Sequence, residues 1–334
     1  MNKLVHNGSK RIKKMKYSTN LVLKVNEIFH DIEGSKYHNK HPEILEDEQK
    51  RWGKIGKTLF GKLTRKITVL DLGSGTGFVP LQIAKFFKKK DLFICSDLSQ
   101  TILDACEINV SEKKFKCNFE YLKLNGTKID LKAESTDYVM MNAVVHHIPN
   151  FNVFFREIDR VLKVGGKLII GHEPNKPFYN HRVLWNNFRF IYSLFYPVQT
   201  VAAILRKIGL YEFARRCYGL LSSGLKEENK LYDQVNKKLV EKGIIENPLS
   251  VKQLIEIIDI QSPTAGGHHK ERGVDVNELI SKYLHNYTID HLETYNHLCD
   301  VRKKNKFINW YSSFLKQKYP TKGATLFVIM KKIK

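Results

Sequence analysis

The hydrophobic pattern alternates between two periods along most of the chain. Short, continuous apolar runs have the length of buried strands, and each is followed by a segment in which apolar residues recur every three or four positions. This order predicts an α/β fold around a parallel sheet. The strand-like runs cover 68–72, 91–97, 119–124, 137–142 and 167–171, and the helix-like segments cover 79–87, 99–110 and 153–162.

The flanking segments are predicted to cover and complete this sheet. Residues 17–62 have helical spacing and are predicted to form an N-terminal helical cover over the core at 63–175. Residues 176–260, rich in aromatic side chains, are predicted to be a helical cap inserted after the fifth strand. Residues 261–334 then bring the sheet to seven strands. Their predicted elements are a helix at 274–284, a strand at 287–295, a helix at 306–315 and a strand at 324–330.

The most informative local pattern is the glycine-rich turn after the first strand. Gly73, Gly75 and Gly77 stand at alternate positions immediately before a predicted helix. Glycine tolerates the positive φ of a tight turn and lets a ligand approach the backbone, while a helix N-terminus offers unpaired N–H groups. The turn therefore predicts a nucleotide cradle. A dinucleotide-binding fingerprint would need its third glycine at Phe78, so the spacing differs from that motif.

An acidic residue ends the second predicted strand. Asp97 lies 20 positions after Gly77, and a carboxylate at this place in a nucleotide-binding unit accepts hydrogen bonds from ribose hydroxyls. The alternative is that Asp97 caps the following helix, a role that Ser99 can also fill. Its register with the glycine turn favours the ribose role.

Net charge raises a second class of partner. The chain of 334 residues has 56 basic and 34 acidic residues, giving a formal charge of +22, which is a typical sign of binding to nucleic acid or an anionic membrane. The basic residues are mostly lysines scattered along the whole chain, so a nucleic-acid partner is considered and not favoured. Residues 1–16 form a basic stretch without acidic residues and are predicted to be a flexible arm.

Cysteine content and hydropathy indicate the compartment. The five cysteines include no CxxC pair and are odd in number, so neither a disulfide framework nor a zinc knuckle is predicted. No window reaches the roughly 18 apolar residues of a membrane-spanning helix. These observations predict a cytoplasmic protein.

Four features in this order resemble the class I S-adenosylmethionine-dependent methyltransferases, in particular those that act on small molecules. They are the glycine turn, Asp97, the segment 143–150 with two adjacent histidines, and RVLKVGGKLII at 160–170, which is similar to the family signature RVLKxGGxLII. The resemblance spans residues 65–175. It implies a Rossmann-like sheet of seven strands with the last antiparallel, to which this chain adds the predicted N-terminal helical cover and the helical insertion after strand 5.

The resemblance also implies a cofactor, S-adenosylmethionine, and the residues that bind it. Asp71 would face the methionine end and Asp97 the ribose. The family often has an aspartate at Asn125 to receive the adenine amino group; an amide oxygen can accept the same hydrogen bond. The implied cofactor-binding residues are Asp71, Gly73, Ser74, Gly75, Gly77, Asp97, Leu98, Asn125, Gly126 and Asn142.

Catalysis by the predicted enzyme depends mainly on positioning, because methyl transfer from a sulfonium is an in-line displacement. A hydroxyl acceptor would also need a general base, and histidine titrates close to neutral pH. His147 is the first candidate, with His172, Glu173 and His297 at the same predicted end of the sheet. The alternative is that these groups only orient loops. No HxxxH or HxH spacing is present, so no metal site is predicted.

The predicted activity is therefore transfer of a methyl group to a small, partly apolar acceptor through oxygen, nitrogen or carbon. Two alternatives remain: methylation of RNA, and a scaffold that binds the cofactor without turnover.

The aromatic insertion suits a packed core, a lid over the acceptor, or peripheral contact with a bilayer. The sequence carries no signal for an oligomeric state. The arginines available for headgroup contact are Arg182, Arg189, Arg206, Arg215 and Arg216.

Overall fold

The structure is a computed structural model. It describes residues 16–34, 42–126, 128–195, 201, 204, 223–298 and 306–334. The predicted basic arm, apart from Lys16, and the arginines at 206, 215 and 216 lie outside these residues.

A seven-stranded sheet forms the centre of the described part of the chain. Its strands lie in the order β3-β2-β1-β4-β5-β7-β6. The pairings among β1 to β5 are parallel, and β7 is antiparallel to both β5 and β6. The predicted fold class is confirmed. The strands are β1 (Thr68–Leu72), β2 (Leu92–Asp97), β3 (Asn118–Lys123), β4 (Thr136–Asn142), β5 (Leu162–Pro174), β6 (Tyr287–Tyr295) and β7 (Thr325–Lys332).

Helices cover both faces of the sheet and its carboxyl edge. The α-helices are α1 (Thr19–Glu33), α2 (Pro42–Phe60), α3 (Phe78–Ile83), α4 (Gln100–Ser111), α5 (Phe151–Val161), α6 (Lys176–Tyr179), α7 (Arg182–Phe195), α8 (Ser223–Glu241), α9 (Val251–Ile258), α10 (Val276–Lys282) and α11 (Lys306–Lys318). Two 3-10 turns follow α3 and β4, at Ala84–Phe86 and Val145–His147. None of the helices within the described ranges has both the length and the apolar character needed to cross a bilayer.

The strand sequences explain why both faces are covered. Consecutive side chains of a strand point to opposite faces, so a strand that is apolar at every position must be buried on both sides. Leu70 packs into the core below α5, while the neighbouring Val69 packs into the core that contains Trp52 of α2 and Cys106 of α4.

The helical cover and part of the insertion form one layer. Val22, Val25 and Ile28 of α1 share a buried core with Val235 of α8 and Leu254 of α9. α9 begins at Ser250, whose hydroxyl accepts the Gln253 N–H at 3.3 Å in a capping box. Because α1 and α9 are fixed together, the ends of both helices reach the same side of the sheet.

The fifth strand is longer than predicted. It runs from Leu162 to Pro174, whereas the apolar run predicted 167–171. The additional residues belong to the strand because the neighbouring strands pair with them. Leu162 pairs with Thr136 of β4, and Glu173 pairs with Leu326 of β7 after a register shift. The extension places the last residues of β5 at the carboxyl edge of the sheet.

Candidate functional site

The glycine turn joins β1 to α3 and is held against the end of β2. Ser74 donates its N–H to the Ser96 carbonyl over 2.8 Å, and its hydroxyl accepts the Ser96 N–H at 3.0 Å. The hydroxyls of Ser74 and Ser96 both donate to the Asp71 carbonyl, at 3.1 and 2.7 Å. These bonds fix the turn at the carboxyl ends of two parallel strands, where open α/β sheets bind ligands.

The three glycines of the turn serve different purposes. Their φ values of 67, 55 and 96° all lie in the left-handed region that favours glycine. A Cβ on Gly73 would lie 2.6 Å from a methyl group of Val144, and one on Gly77 would lie 3.3 Å from the Cys106 sulfur. A Cβ on Gly75 would meet no atom within 4 Å, because Gly75 faces a cavity. Gly77 does not line that cavity, so it permits packing on α4 and does not contact a ligand there.

Asp97 lies beside Gly75 in the cavity wall. Its Oδ2 accepts the Gly75 N–H at 3.1 Å and its Oδ1 accepts the Ser99 N–H at 3.0 Å. Ser99 is the N-cap of α4, because its hydroxyl accepts the Ile102 N–H at 3.1 Å. Burial raises the pKa of Asp97, although these N–H donors oppose the change. Asp97 thus occupies the position that a ribose-binding carboxylate requires.

The other residues predicted to bind the cofactor do not all line the cavity. Leu98, Gly126 and Asn142 line the cavity, and Asn142 also accepts a hydrogen bond from the Trp52 indole at 2.9 Å. Asn125 does not line it. The Asn125 side-chain oxygen accepts the Lys128 N–H at 3.0 Å, a local bond that asparagine often makes in turns. This bond uses one lone pair of the oxygen, and the contact between Asn125 and adenine stays a prediction.

The cavity has a volume of about 510 Å³, within the range of small-molecule sites. The ends of β1, β2 and β3 supply a glycine-rich half. The opposite half is formed at the ends of β4 and β5, with α1, α2 and α9 around it, and we call it the histidine half. Its polar lining residues are Asn26, His30, Glu48, His146, His147, His172, Tyr179, Asp259, Ser262 and Thr325.

Glu173 organises the segment that follows β4. Its Oε1 accepts the N–H groups of Val144 and Val145, both at 2.6 Å, and its Oε2 accepts the His146 N–H at 3.1 Å. The same Oε2 lies 2.8 Å from His146 Nδ1. Glu173 is fully buried and does not line the cavity. The geometry therefore places Glu173, predicted as catalytic, behind the site as a positioning residue.

His146 and His147 lie side by side, with ring centroids 4.0 Å apart. Nδ1 of His147 is 2.8 Å from the Ile258 carbonyl oxygen, which can only accept, so Nδ1 carries the proton and Nε2 carries the lone pair of the neutral ring. Asp259, next to Ile258 at the end of α9, places Oδ1 3.4 Å from His147 Nδ1 and 3.9 Å from His146 Nε2.

The pKa values of the two histidines move in opposite directions. Burial, together with the neighbouring His146 and His30, holds the pKa of His147 well below its ordinary value. Burial would also lower the pKa of His146, but the charge and hydrogen bond of Glu173 and the charge of Asp259 raise it. The surroundings therefore favour the neutral form of His147 and the protonated form of His146, and such opposite shifts separate the roles of base and cation.

A second polar cluster lies on the α2 side of the cavity. Glu48 Oε1 is 2.9 Å from Arg51 Nη1 and 3.3 Å from His172 Nδ1, and the Tyr295 hydroxyl is 3.3 Å from the same Nδ1. Burial opposes ionisation of Glu48, but His172 and Arg51 hold its pKa below the ordinary value. Glu48 and His172 line the cavity, and His172 has a φ of 55°, so it is held in a left-handed conformation there.

His297 is a second predicted catalytic residue that does not line the cavity. Its side chain is buried, and Nε2 lies 2.9 Å from the Tyr319 carbonyl oxygen. Asn296, with a φ of 59°, turns the chain after β6 and directs His297 toward the connection before β7. Its contacts are those of a structural histidine.

Three lining residues could not be found by local spacing. His30 lies on α1, Glu48 on α2, and Asp259 directly after α9, and packing alone brings them to the sheet. Among the described residues, His146, His147 and Asp259 form a group whose ligand atoms lie within 4.8 Å of one another, as a metal ion would require. The Nδ1 atoms of both histidines already form hydrogen bonds, so each ring has only Nε2 left to offer to an ion or to a substrate proton.

Asp71 lies under the glycine turn and has no exposed surface. Its two carboxylate oxygens have no hydrogen-bond partner among the described residues. Burial raises its pKa to about 8, and the nearby Asp97 adds to the shift. Asp71 does not line the cavity, so the predicted contact with the methionine end is not direct in this arrangement.

The raised pKa of Asp71 predicts a pH-dependent stability. Between pH 3.8, where Asp71 ionises in the unfolded chain, and about 8, only the folded state keeps the proton. The contribution of Asp71 to stability therefore falls with rising pH across this window, by about 1.4 kcal/mol per unit at most. We expect Asp71→Asn to unfold at a higher temperature than the wild type at pH 8 and similarly at pH 4, measured by calorimetry without ligand.

Other groups titrate in the same range, so the difference between variant and wild type is the quantity to follow. Asp104→Asn, on the exposed face of α4, is the control. If the difference in unfolding temperature between Asp71→Asn and the wild type does not grow with pH, the raised pKa of Asp71 is contradicted.

The comparisons with known proteins concern the part of the chain that contains the glycine turn and Asp97. Residues 70–170 match the family model described as "Methyltransferase domain". This match confirms the predicted resemblance to S-adenosylmethionine-dependent methyltransferases and, with it, the class of cofactor. The glycine turn with its open Gly75, and Asp97 beside it, fit a nucleoside of this kind.

Relatives and solved structures match this chain over different shares of its length. The demethylmenaquinone methyltransferase of Lactococcus lactis is 27% identical over 47% of this chain and 62% of its own length. The malonyl-[acyl-carrier protein] O-methyltransferase of Legionella pneumophila is 29% identical over 40% and 48%, respectively. The chain thus spans about half the length of the curated relatives it matches. A solved methyltransferase from Mesorhizobium loti has 11% identity and a TM-score of 0.44, with 86% of this chain and 100% of that chain covered.

Proposed function

We propose that the chain transfers a methyl group from S-adenosylmethionine to a small, partly apolar acceptor bound in the histidine half of the cavity. The observation that carries this proposal is the single cavity that joins the glycine turn and Asp97 to His146, His147 and Asp259. A donor and an acceptor bound in the two halves would be neighbours, which is the main requirement of an in-line displacement.

The glycine-rich half would hold the cofactor. Asp97 would accept ribose hydroxyls, Leu98 and Gly126 would contact the base, and the backbone of the turn at Ser74 and Gly75 would lie along the ligand. When bound, the cofactor supplies an activated methyl group. The protein itself then has to exclude water, orient the acceptor and remove a proton where the acceptor carries one.

His147 is the residue best placed to remove that proton. Its Nδ1–H is committed to the Ile258 carbonyl, so the remaining nitrogen is the basic one. Its depressed pKa keeps the ring neutral at pH 7. Glu173 and His146 would fix this ring rather than take part directly. His172 lines the other side, where its contact with Glu48 favours an orienting role.

We expect His147→Gln to lower kcat for a hydroxyl acceptor by about 100-fold or more, because general-base catalysis typically contributes 10²- to 10⁴-fold. Binding of S-adenosylhomocysteine, measured by calorimetry, should change little. The wild-type rate should be constant above neutral pH and fall at acid pH, as His147 becomes protonated below the ordinary histidine range. The acid limb should disappear in His147→Gln.

His285→Gln is a matched control, since His285 is exposed and precedes β6 at the opposite edge of the sheet. Equal turnover by His147→Gln and the wild type would show that His147 is not the general base, and the proposal of methyl transfer would still stand. Failure to bind S-adenosylhomocysteine at all would reject the proposed function.

A further inference from the structure

An exposed aromatic stripe lies on α11, a helix whose residues do not line the cavity. Phe307, Trp310 and Phe314 are 63%, 61% and 44% exposed, and the spacing of three and four residues puts them on one face of the helix. Ile308 and Leu315 on another face are buried in the core that α11 shares with α7. The helix therefore has more apolar surface than its packing within the described chain uses.

α7 carries a second stripe of the same kind. Val183, Phe190 and Leu194 are 53%, 64% and 62% exposed and fall at positions i, i+7 and i+11. α7 is joined to α11 by a hydrogen bond of 2.9 Å from the Asn187 amide to the Tyr311 hydroxyl, in addition to their shared core. The two stripes belong to one packed helix pair, which we call the α7–α11 surface.

The charge of this surface has a single sign. Neither helix contains an aspartate or a glutamate, and the cations are Arg182 and Arg189 on α7 and Lys306, Lys316 and Lys318 on α11. Exposed tryptophan, phenylalanine and leucine beside lysine and arginine, without acidic residues, is the composition of helices that lie in a membrane interface. Isolated exposed apolar residues are ordinary, whereas several on two helices that pack together are typical of an interaction site.

The α7–α11 surface belongs to the cavity end of the sheet. α6 and α7 follow β5, whose last residue Pro174 lines the cavity, and Tyr179 at the end of α6 lines it as well. α11 precedes β7, whose first residue Thr325 also lines the cavity. A partner on this surface would therefore sit at the edge where the acceptor half is built.

We propose that the α7–α11 surface docks on an anionic lipid bilayer. Trp310, the phenylalanines and Leu194 enter the interfacial region, and the arginines and lysines contact lipid phosphates. A single-stranded nucleic acid would also use basic and aromatic groups, but it gains nothing from exposed aliphatic side chains such as Leu194 and Val183. The aliphatic part of the surface favours the bilayer. This inference does not depend on the proposed function.

The test is sedimentation of the full chain with vesicles of phosphatidylcholine alone or with ~30% phosphatidylglycerol, at ~0.1 M salt. We expect binding to the anionic vesicles to be at least about 10-fold stronger, to fall with added salt, and to fall about 10-fold in the double variant Trp310→Ser/Phe314→Ser. Arg189→Gln/Lys316→Gln should lose the preference for the anionic lipid.

Ile108→Ser/Val164→Ser is the matched control, because these exposed apolar residues lie on α4 and the early part of β5. Absence of binding to anionic vesicles, or equal binding by the Trp310→Ser/Phe314→Ser variant and the wild type, would overturn the proposal. The proposal would also be overturned if the chain bound poly(U) but not vesicles, and if Trp310→Ser/Phe314→Ser lost the poly(U) binding. A third contrary result would be a lower Tm of Trp310→Ser/Phe314→Ser together with no vesicle binding by the wild type. The last result would mean that the chain covers this face itself.

Discussion

Replacement of Gly75 with arginine is expected to weaken the binding of S-adenosylmethionine by about 100-fold or more, equivalent to about 2.7 kcal/mol. A Cβ at this position meets no protein atom within 4 Å, so the side chain would enter the cavity without disturbing the core. The left-handed φ of 55° adds a strain of about 1–2 kcal/mol. Calorimetric titration would measure the affinity, and thermal unfolding would show that the fold is retained.

Gly165→Arg separates these two effects. Gly165 also has a positive φ, 78°, and a Cβ there also meets nothing within 4 Å, but it lies on β5 outside the cavity. The control should lose similar stability and keep its affinity. Unchanged cofactor affinity in Gly75→Arg would show that the glycine turn is not the cofactor site.

Glu173→Gln is expected to reduce turnover by about 100-fold or more and the free energy of unfolding by about 3 kcal/mol. The carboxylate accepts three main-chain N–H groups and faces His146, whereas an amide presents one acceptor and an NH₂ group that would oppose those donors. Cofactor affinity should change by only a few fold, because Glu173 does not reach the glycine-rich half. Turnover, binding and chemical denaturation would be measured on the same preparation.

Glu278→Gln is the comparison for loss of a charge alone. Glu278 pairs with Lys176 and Lys282 at 2.6 and 3.0 Å at the surface, where such pairs contribute about 1 kcal/mol or less. An equal loss of turnover in both variants, or a loss of cofactor binding that matches the loss of turnover, would contradict the positioning role of Glu173.

The cofactor half of the site could be predicted because its determinants are close together in sequence. Gly73 and Gly75 belong to one turn, and Asp97 follows within one strand–helix–strand unit. Even there, the spacing could not distinguish a glycine that faces a ligand from Gly77, which is required by the packing of Cys106. The spacing also could not show that the side-chain oxygen of Asn125 accepts a hydrogen bond within its own turn.

The acceptor half could not be predicted in the same way. Asp259 and His30 reach the cavity only because α9 and α1 pack on each other and on the sheet, and no local pattern encodes that contact. Glu173 and His172 are adjacent in β5, so their side chains point to opposite sides, and the sequence did not reveal which of them faces the ligand. His297 was misplaced because the left-handed turn at Asn296 cannot be read from its neighbours.

Helix α1 lies across both halves of the cavity. Leu23 contacts the region of Gly126 on the cofactor side, while the His30 ring lies edge-on to His147, with centroids 5.4 Å apart, on the acceptor side. Its outer face is locked into the core with α8 and α9. One element therefore lines both compartments. A substitution that loosens α1 from its helical neighbours is thus expected to weaken the binding of donor and acceptor together.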